Sequence, residues 1–335
     1  MATAVMSGGG ARRVAAALTS YFFHPEVDMR GYELLSCASA FLVPVARPDC
    51  ATRFHVIAAA HVTHPWRFPA YYPPDSHAFV HVLSDEHIRC NLELRRVRGG
   101  VVFQRRAHNP HTPPTTLPPH HDHAQDDGAG TVAVEGVLSG TSWVHPQRDL
   151  SVLHLADEPA FFNAARAAGL TLAACELAET PAENDEALAF VGHVLQPRTS
   201  SSSNSSSGDG AAAAPVDATA PAPLYPFATT GTLLGRSPRQ VFARTAALLQ
   251  MGMCGGPVLR ASSVAGAGSG TPLAYGAIEG IVEREAGSSS SGGDTPSEDA
   301  AALQAKARSV LGGAAVFVES ATIAAFLRAI EARLP

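Results

Sequence analysis

Short runs rich in β-branched and aromatic residues, punctuated by turn residues, dominate the chain. In the first half these are "SAFLVPV" (39–45), "RFHVIAAA" (53–60), "HAFVHVLS" (77–84), "LELRRVRGGVVF" (92–103), "VEGVLSG" (134–140) and "DLSVLHLA" (149–156). The Pro/Asp-containing "ARPDCAT" between the first two reads as a hairpin turn. In "DLSVLHLA" the alternation places Leu150, Val152 and His154 on one face and Ser151, Leu153 and Leu155 on the other. A second set of strand-like runs lies at 187–195, 228–235, 240–249, 256–261, 274–283 and 313–319. Helical patterning is confined to three places. Residues 11–22 read as a helix following a short tail. Residues 157–169 have Asp157 as cap, Pro159 in the first turn and Gly169 as stop. Residues 320–334 align Ile323, Phe326, Leu327, Ile330 and Leu334 on one face behind a Ser320 cap.

The expected fold class is therefore all-β: two six-stranded antiparallel β-barrels with a C-terminal helix and disordered insertions. The expected divisions are a tail or helix over 1–30, a first barrel over 31–160 and a second barrel with the C-terminal helix over 161–335. The insertions are a His- and Pro-rich segment (104–130) and two Ser/Gly/Ala-rich segments (198–223 and 286–299). The His-rich segment matches the ligand spacing of no closed zinc site, so it reads as a solvated loop, and no metal or other cofactor is expected.

Composition narrows the function classes. The chain has 335 residues, 46% of them hydrophobic and 16% charged, which suits a globular protein with a sizeable core. A net charge of −6 argues against nucleic acid as partner. No apolar run approaches the ~18 residues that span a bilayer. The five cysteines are odd in number and scattered without a CxxC pair, so a disulfide framework is not expected and a reducing, intracellular compartment is. The N-terminus carries two arginines and no acid before Glu26, a composition that admits a mitochondrial or other organellar address beside a cytoplasmic one.

The chemistry concentrates in "LLQMGMCGGPVLR" (248–260). Gly252 permits a sharp turn ahead of the Cys254 thiol, and Gly255 and Gly256 permit close chain approach behind it. Such a turn aims the amides of Gly252 and Cys254 into one small space, an arrangement that stabilises an oxyanion. A thiol beside an oxyanion hole suits acyl transfer and needs a base. His61 ends the strand-like "VIAAAH", whose small alanines free the imidazole at a strand end. Asp149 opens "DLSVLHL", placed to fix the tautomer of that imidazole.

These three segments, "VIAAAHV", "RDLSVLHL" and "GMCGGPVL", occur in the order His, Asp, nucleophile, and in this the chain resembles the chymotrypsin-like (trypsin-fold) peptidases. "SAFLVP", "DEALAFVGHV", "GAIEGIVE" and "AAVFVESATIAAFL" resemble further strands of that family and its last helix, so the likeness covers roughly residues 35–330 outside the insertions. In style it is closer to the HtrA-like members than to digestive trypsins: Val62 and Met253 replace a disulfide cysteine and an activation aspartate. The resemblance implies an endopeptidase acting on peptides or proteins, with His61, Asp149 and Cys254 as the triad and the amides of Gly252 and Cys254 as the oxyanion hole. It also places Leu248, Ile281 and Val282 where specificity is set, and the apolar Leu248 argues against a Lys/Arg preference. Cys254 departs from the family's serine. That leaves two alternatives open: a cysteine peptidase, or a catalytically weak or inactive homologue that binds peptides by strand addition.

Overall fold

The strand runs of the sequence close into two barrels of identical connectivity. A computed structural model describes residues 12–26, 29–47, 50, 52–73, 77–96, 102–103, 131–184, 186–195, 224–238, 240–265, 270–282 and 311–334. The expected insertions 104–130, 198–223 and 286–299 lie outside the described residues. The first barrel comprises β1 (Ala16–Phe22), β2 (Glu33–Pro44), β3 (Phe54–Ala58), β4 (Ile88–Arg96), β5 (Thr131–Val144) and β6 (Ser151–Leu155). It closes in the order β1-β2-β3-β6-β5-β4, every pairing antiparallel. The second comprises β7 (Leu188–Leu195), β8 (Leu224–Arg236), β9 (Val241–Thr245), β10 (Pro257–Arg260), β11 (Leu273–Ile281) and β12 (Ala315–Glu319). It closes as β7-β8-β9-β12-β11-β10, the same path through the strands.

Two readings of the first barrel need correction. Residues 16–22 are a strand, not a helix. Their alanines favour a helix locally, but β1 is paired on both edges, by β2 and by β4, and a strand with two partners satisfies all its backbone groups. Residues 77–84, expected as a strand, instead contain a 3₁₀ turn over Ala78–Val82. There Val80 and Leu83 are buried in a small cluster with Leu35, outside the barrel. The count of six survives because β1 takes the place of that stretch.

Each barrel fills its own interior. Leu18, Leu42, Leu92, Leu94, Leu153 and Leu155 belong to the first core. Leu188, Phe190, Val258, Tyr275, Ile278 and Phe317 belong to the second. A third cluster joins the barrels: Phe41, Ile57, Leu150 and Val152 from the first meet Ala189, Val191 and Leu259 from the second. The alternation read in "DLSVLHLA" thus separates barrel core from inter-barrel seam.

Helix α1 is a single turn, Ala60–Thr63. Helix α2 (Glu158–Ala167) starts as expected, with the Asp157 carboxylate accepting the Ala160 N–H, and Gly169 follows it at φ 69°. Helix α3 (Ser320–Glu331) lays Ile323, Leu327 and Ile330 onto the inter-barrel seam. The expected Ser320 cap is not made. Glu319 occupies the cap position, and the Ser320 hydroxyl donates to the Ala178 carbonyl, because the last strand runs straight into the helix and turns that side chain inward. Among the described residues no helix is long and apolar enough to cross a membrane.

Candidate active site

Three loops from the ends of strands meet at one point. β3 finishes at Ala58, and α1 follows after one residue, so His61 sits on a rigid turn at the rim of the first barrel. Thr63 locks that turn by donating to the Ser151 hydroxyl (2.9 Å), which itself donates to the Ala58 carbonyl. Asp149 stands one residue short of β6, and its turn is closed by the His145 N–H donating to the Leu150 carbonyl. Leu150 is fully buried in the seam and anchors the aspartate beside it.

The structure brings His61, Asp149 and Cys254 together. One Asp149 oxygen accepts the His61 backbone N–H at 2.7 Å, and the other lies 2.5 Å from His61 Nδ1. These two bonds, one to the backbone and one to the ring, fix the position of the carboxylate beside the imidazole. Cys254 lies close enough to act on the imidazole, and with Nδ1 committed to Asp149 the ring is left with Nε2 for the thiol. Burial pulls the basicity of His61 down. The hydrogen bonds and charges of Asp149 and Cys254 outweigh it and lift the ring to about 9.

The nucleophile turn is built from backbone. Gly252 (φ 96°) and Gly255 (φ 80°) both adopt the left-handed region that L side chains avoid. A Cβ at Gly255 would be driven onto the Ser39 carbonyl oxygen and to 2.7 Å from the Ala59 amide. The alanines of "VIAAAH" and the glycines of "GMCGG" are two sides of this one close approach. Hydrogen bonds that hold the turn include Ser39 N–H to the Cys254 carbonyl (2.9 Å), Ser39 hydroxyl to the Gly252 carbonyl (2.7 Å), Gly255 N–H to the Ile278 carbonyl (2.8 Å) and Leu195 N–H to the Met251 carbonyl (3.0 Å). Among the described residues, neither the Gly252 nor the Cys254 amide donates to another backbone group outside regular strands and helices.

Four contributors had no motif to announce them. Ser39 joins the barrels through those two bonds, and its hydroxyl also accepts the His193 N–H (2.7 Å). A lone hydroxyl in the apolar run "SAFLVPV" was its only signal. Tyr71 stacks on the His61 ring, centroids 4.3 Å apart and planes within 7°. The Tyr72 hydroxyl donates to the His61 carbonyl (2.7 Å). Glu279 forms a two-pronged, nearly buried ion pair with Arg148 and accepts the Asp149 N–H (3.2 Å). An acid in the apolar strand "AYGAIEGIV" was the visible sign of it.

His64 and His154 are engaged elsewhere, and the ring nitrogens of His193 have no hydrogen-bond partner among the described residues. His64 bridges Thr63 and Ser142. His154 lies 2.9 Å from His55, whose far nitrogen meets Glu331 of α3. His193 is buried, and burial together with the charges of Arg13 and Arg95 drives it down to about 3. Leu248 is half exposed in the loop ahead of the nucleophile turn, and Ile281 is half exposed at the end of β11. Val282 is tied to Ala314 and Gly313 by backbone bonds. The five cysteines are free thiols. Among the described residues no cluster of three or more His, Cys, Asp or Glu is arranged to hold a metal.

Two six-stranded antiparallel barrels with this seam are consistent with the chymotrypsin-like fold. In comparisons with known proteins, no family model matches the chain and no curated sequence is similar to it.

Proposed function

We propose that this protein is an endopeptidase that cleaves peptide bonds through a covalent acyl-enzyme on Cys254. The observation that carries the reading is the His61 imidazole held between the Asp149 carboxylate and the Cys254 thiol at the mouth of a glycine turn. His61 takes the thiol proton at Nε2. The resulting imidazolium is the counter-ion a thiolate nucleophile needs, and the raised basicity of His61 favours it at neutral pH.

The sulfur adds to the scissile carbonyl carbon, and the carbonyl π pair moves onto oxygen. The amides of Gly252 and Cys254 hold that oxyanion. The tetrahedral intermediate collapses to a thioester as the C–N bond breaks, and His61 delivers its proton to the departing amine. Water then enters. His61 removes one of its protons, the hydroxide adds to the thioester, and the carboxylic acid leaves as the sulfur is released and reprotonated. Asp149 keeps Nδ1 protonated throughout and so leaves Nε2 to do the work.

Substrate lies in extended form along β11. Beyond Ala277 that strand has no regular β10 partner on one edge, which leaves backbone groups from Glu279 to Ile281 facing the cleft. The half-exposed Leu248 and Ile281 favour apolar over basic side chains there.

The test has two arms. Cys254 of the wild type is expected to react with iodoacetamide near pH 7 at least ~10-fold faster than in His61→Ala, and a diverse peptide library is expected to be cut by the wild type and not by Cys254→Ala. Uncut peptides that bind both proteins equally would identify a binding module instead, the alternative that the Ser-to-Cys change leaves open. Retained cleavage in Cys254→Ser would show that the site supports an oxygen nucleophile as well.

A further inference from the structure

The segment after His61 does more than connect α1 to β4. "PWRFPAYY" folds as two consecutive 3₁₀ turns, Pro65–Arg67 and Pro69–Tyr71, each started by a proline that presets φ. This doubles the chain back over the histidine that precedes it. Tyr72 closes the strap through its bond to the His61 carbonyl. Tyr71 is thereby laid flat on the imidazole, and Phe68 packs edge-on against Tyr71 at 6.3 Å between centroids.

Tyr71 is unusual for a residue in such a place. Its side chain is 53% exposed, yet the ring covers His61, which is itself only 9% exposed. Asp149, Cys254 and Glu279 all lie near enough to act on its phenol electrostatically. Asp149 receives two donors from one residue, the His61 amide and His61 Nδ1. Burial and this negative company push the Tyr71 phenol well above its ordinary range, so it stays a donor at every working pH.

We propose that Tyr71 is a positioning residue for the acid–base step. Its ring holds the His61 imidazole in the plane that joins Asp149 to Cys254 and keeps bulk water off the His61–Asp149 hydrogen bond. The inference rests on the acyl-transfer reading of Cys254 and adds a component to it. The physical basis is that a ring held only at Nδ1 can rock about that bond. A second ring stacked within van der Waals distance removes this freedom and excludes the water that would compete for the carboxylate.

The experiment uses the full chain with Tyr71→Phe, Tyr71→Ala, His61→Ala and the double variant Tyr71→Ala/His61→Ala. The first measurement is the rate of Cys254 alkylation by iodoacetamide, a small neutral probe that needs no substrate subsite. Tyr71→Ala is expected to react roughly fivefold or more slowly than wild type, and Tyr71→Phe within about twofold of it, because the stacking ring is kept. On the His61→Ala background the Tyr71→Ala change is expected to have no effect, since it acts through the histidine. The second measurement is the proton NMR signal of His61 Nδ1–H, expected far downfield and sharp in wild type and Tyr71→Phe, and broadened by water exchange in Tyr71→Ala. A Tyr71→Ala protein with wild-type alkylation rate and an equally sharp signal overturns the proposal, as does an effect of the same size on both backgrounds. Failure of the peptidase reading registers separately, as wild-type Cys254 reacting no faster than in His61→Ala. The NMR signal still decides whether Tyr71 protects the His61–Asp149 pair in that case.

Discussion

The two barrels share one strand order, yet they contribute to the site in opposite currencies. The first supplies side chains: an imidazole, a carboxylate, a stacked tyrosine and the bracing hydroxyl of Ser39. The second supplies the Cys254 thiol and the Glu279 carboxylate and, around them, mainly backbone: two left-handed glycines, the amides of the nucleophile turn and the open edge of β11. Their burial of charge differs in the same sense. The first barrel carries the inward Glu93–Arg95 pair, whose carboxylate also accepts from Thr19, and the His55–His154 pair that reaches Glu331 of α3. In the second, glycines stand where chains nearly touch: a Cβ on Gly256 would strike the Val191 carbonyl, and one on Gly276 the Val318 carbonyl. One copy of the topology carries the imidazole and the carboxylate, and the other carries the thiol on a tight backbone turn. Substitutions should therefore fail differently in the two.

The largest effect is expected from the backbone side. Gly255→Ala combines a strained φ with a Cβ pressed on two backbone segments of the first barrel. It should cost about 3 kcal/mol or more of stability and separate Cys254 from His61. Urea denaturation checks the first effect and loss of rapid alkylation the second. An alanine tolerated here would break the comparison.

Next in size is the side-chain side. His61→Ala should remove at least ~10²-fold of peptide hydrolysis while the protein still unfolds cooperatively. Asp149→Asn should lose less, roughly tenfold, because a thiol depends less on its base than a hydroxyl does. Single-turnover assays on the cleaved peptides measure both.

The pH dependence of stability sharpens the contrast further. His61 is more basic in the folded protein, at about 9, than its unfolded value of ~6.5. Its contribution is therefore complete below pH ~6.5 and is lost as pH rises through about 9. His154 and His64 are each held down to about 4, by burial first, so their contribution is complete above pH ~6.5 and is lost as pH falls through about 4. The difference in melting temperature between wild type and His61→Ala should accordingly shrink as pH is raised from ~6.5 to beyond about 9, leaving the acid limb unchanged. A constant difference across that range would remove the charged pair from the account.

The smallest effect concerns Ser39, a side chain that spans both barrels. Ser39→Ala deletes the hydroxyl bond to the Gly252 carbonyl and leaves the buried His193 N–H without its acceptor. About 1–3 kcal/mol of destabilisation is expected, with slower Cys254 alkylation as the turn loosens. Thermal unfolding and the same alkylation assay report on it.

Much of this was legible before any coordinates. Each strand of the second barrel lies on a run read from the sequence, because β-branched and aromatic residues between turn signals are a local property. The amphipathic face of α3 and the Asp157 cap were legible for the same reason. So was the role of the glycines around Cys254, since only glycine reaches the φ that the turn requires. The first barrel was less legible. Residues 16–22 are ambiguous alone, and pairing with β2 and β4 decides them. Residues 77–84 look like a strand but find no ladder to join and coil into a 3₁₀ turn over a small apolar cluster.

The sequence by itself determined the alphabet of the site: the thiol, the imidazole and the carboxylate, each beside a segment whose local physics exposes or turns it. The tertiary structure alone decided their company. Ser39, Arg148 and Glu279 act across separations of more than a hundred residues. Hydrogen bonds at that range depend on where two closed barrels come to rest against each other, and no local pattern encodes that.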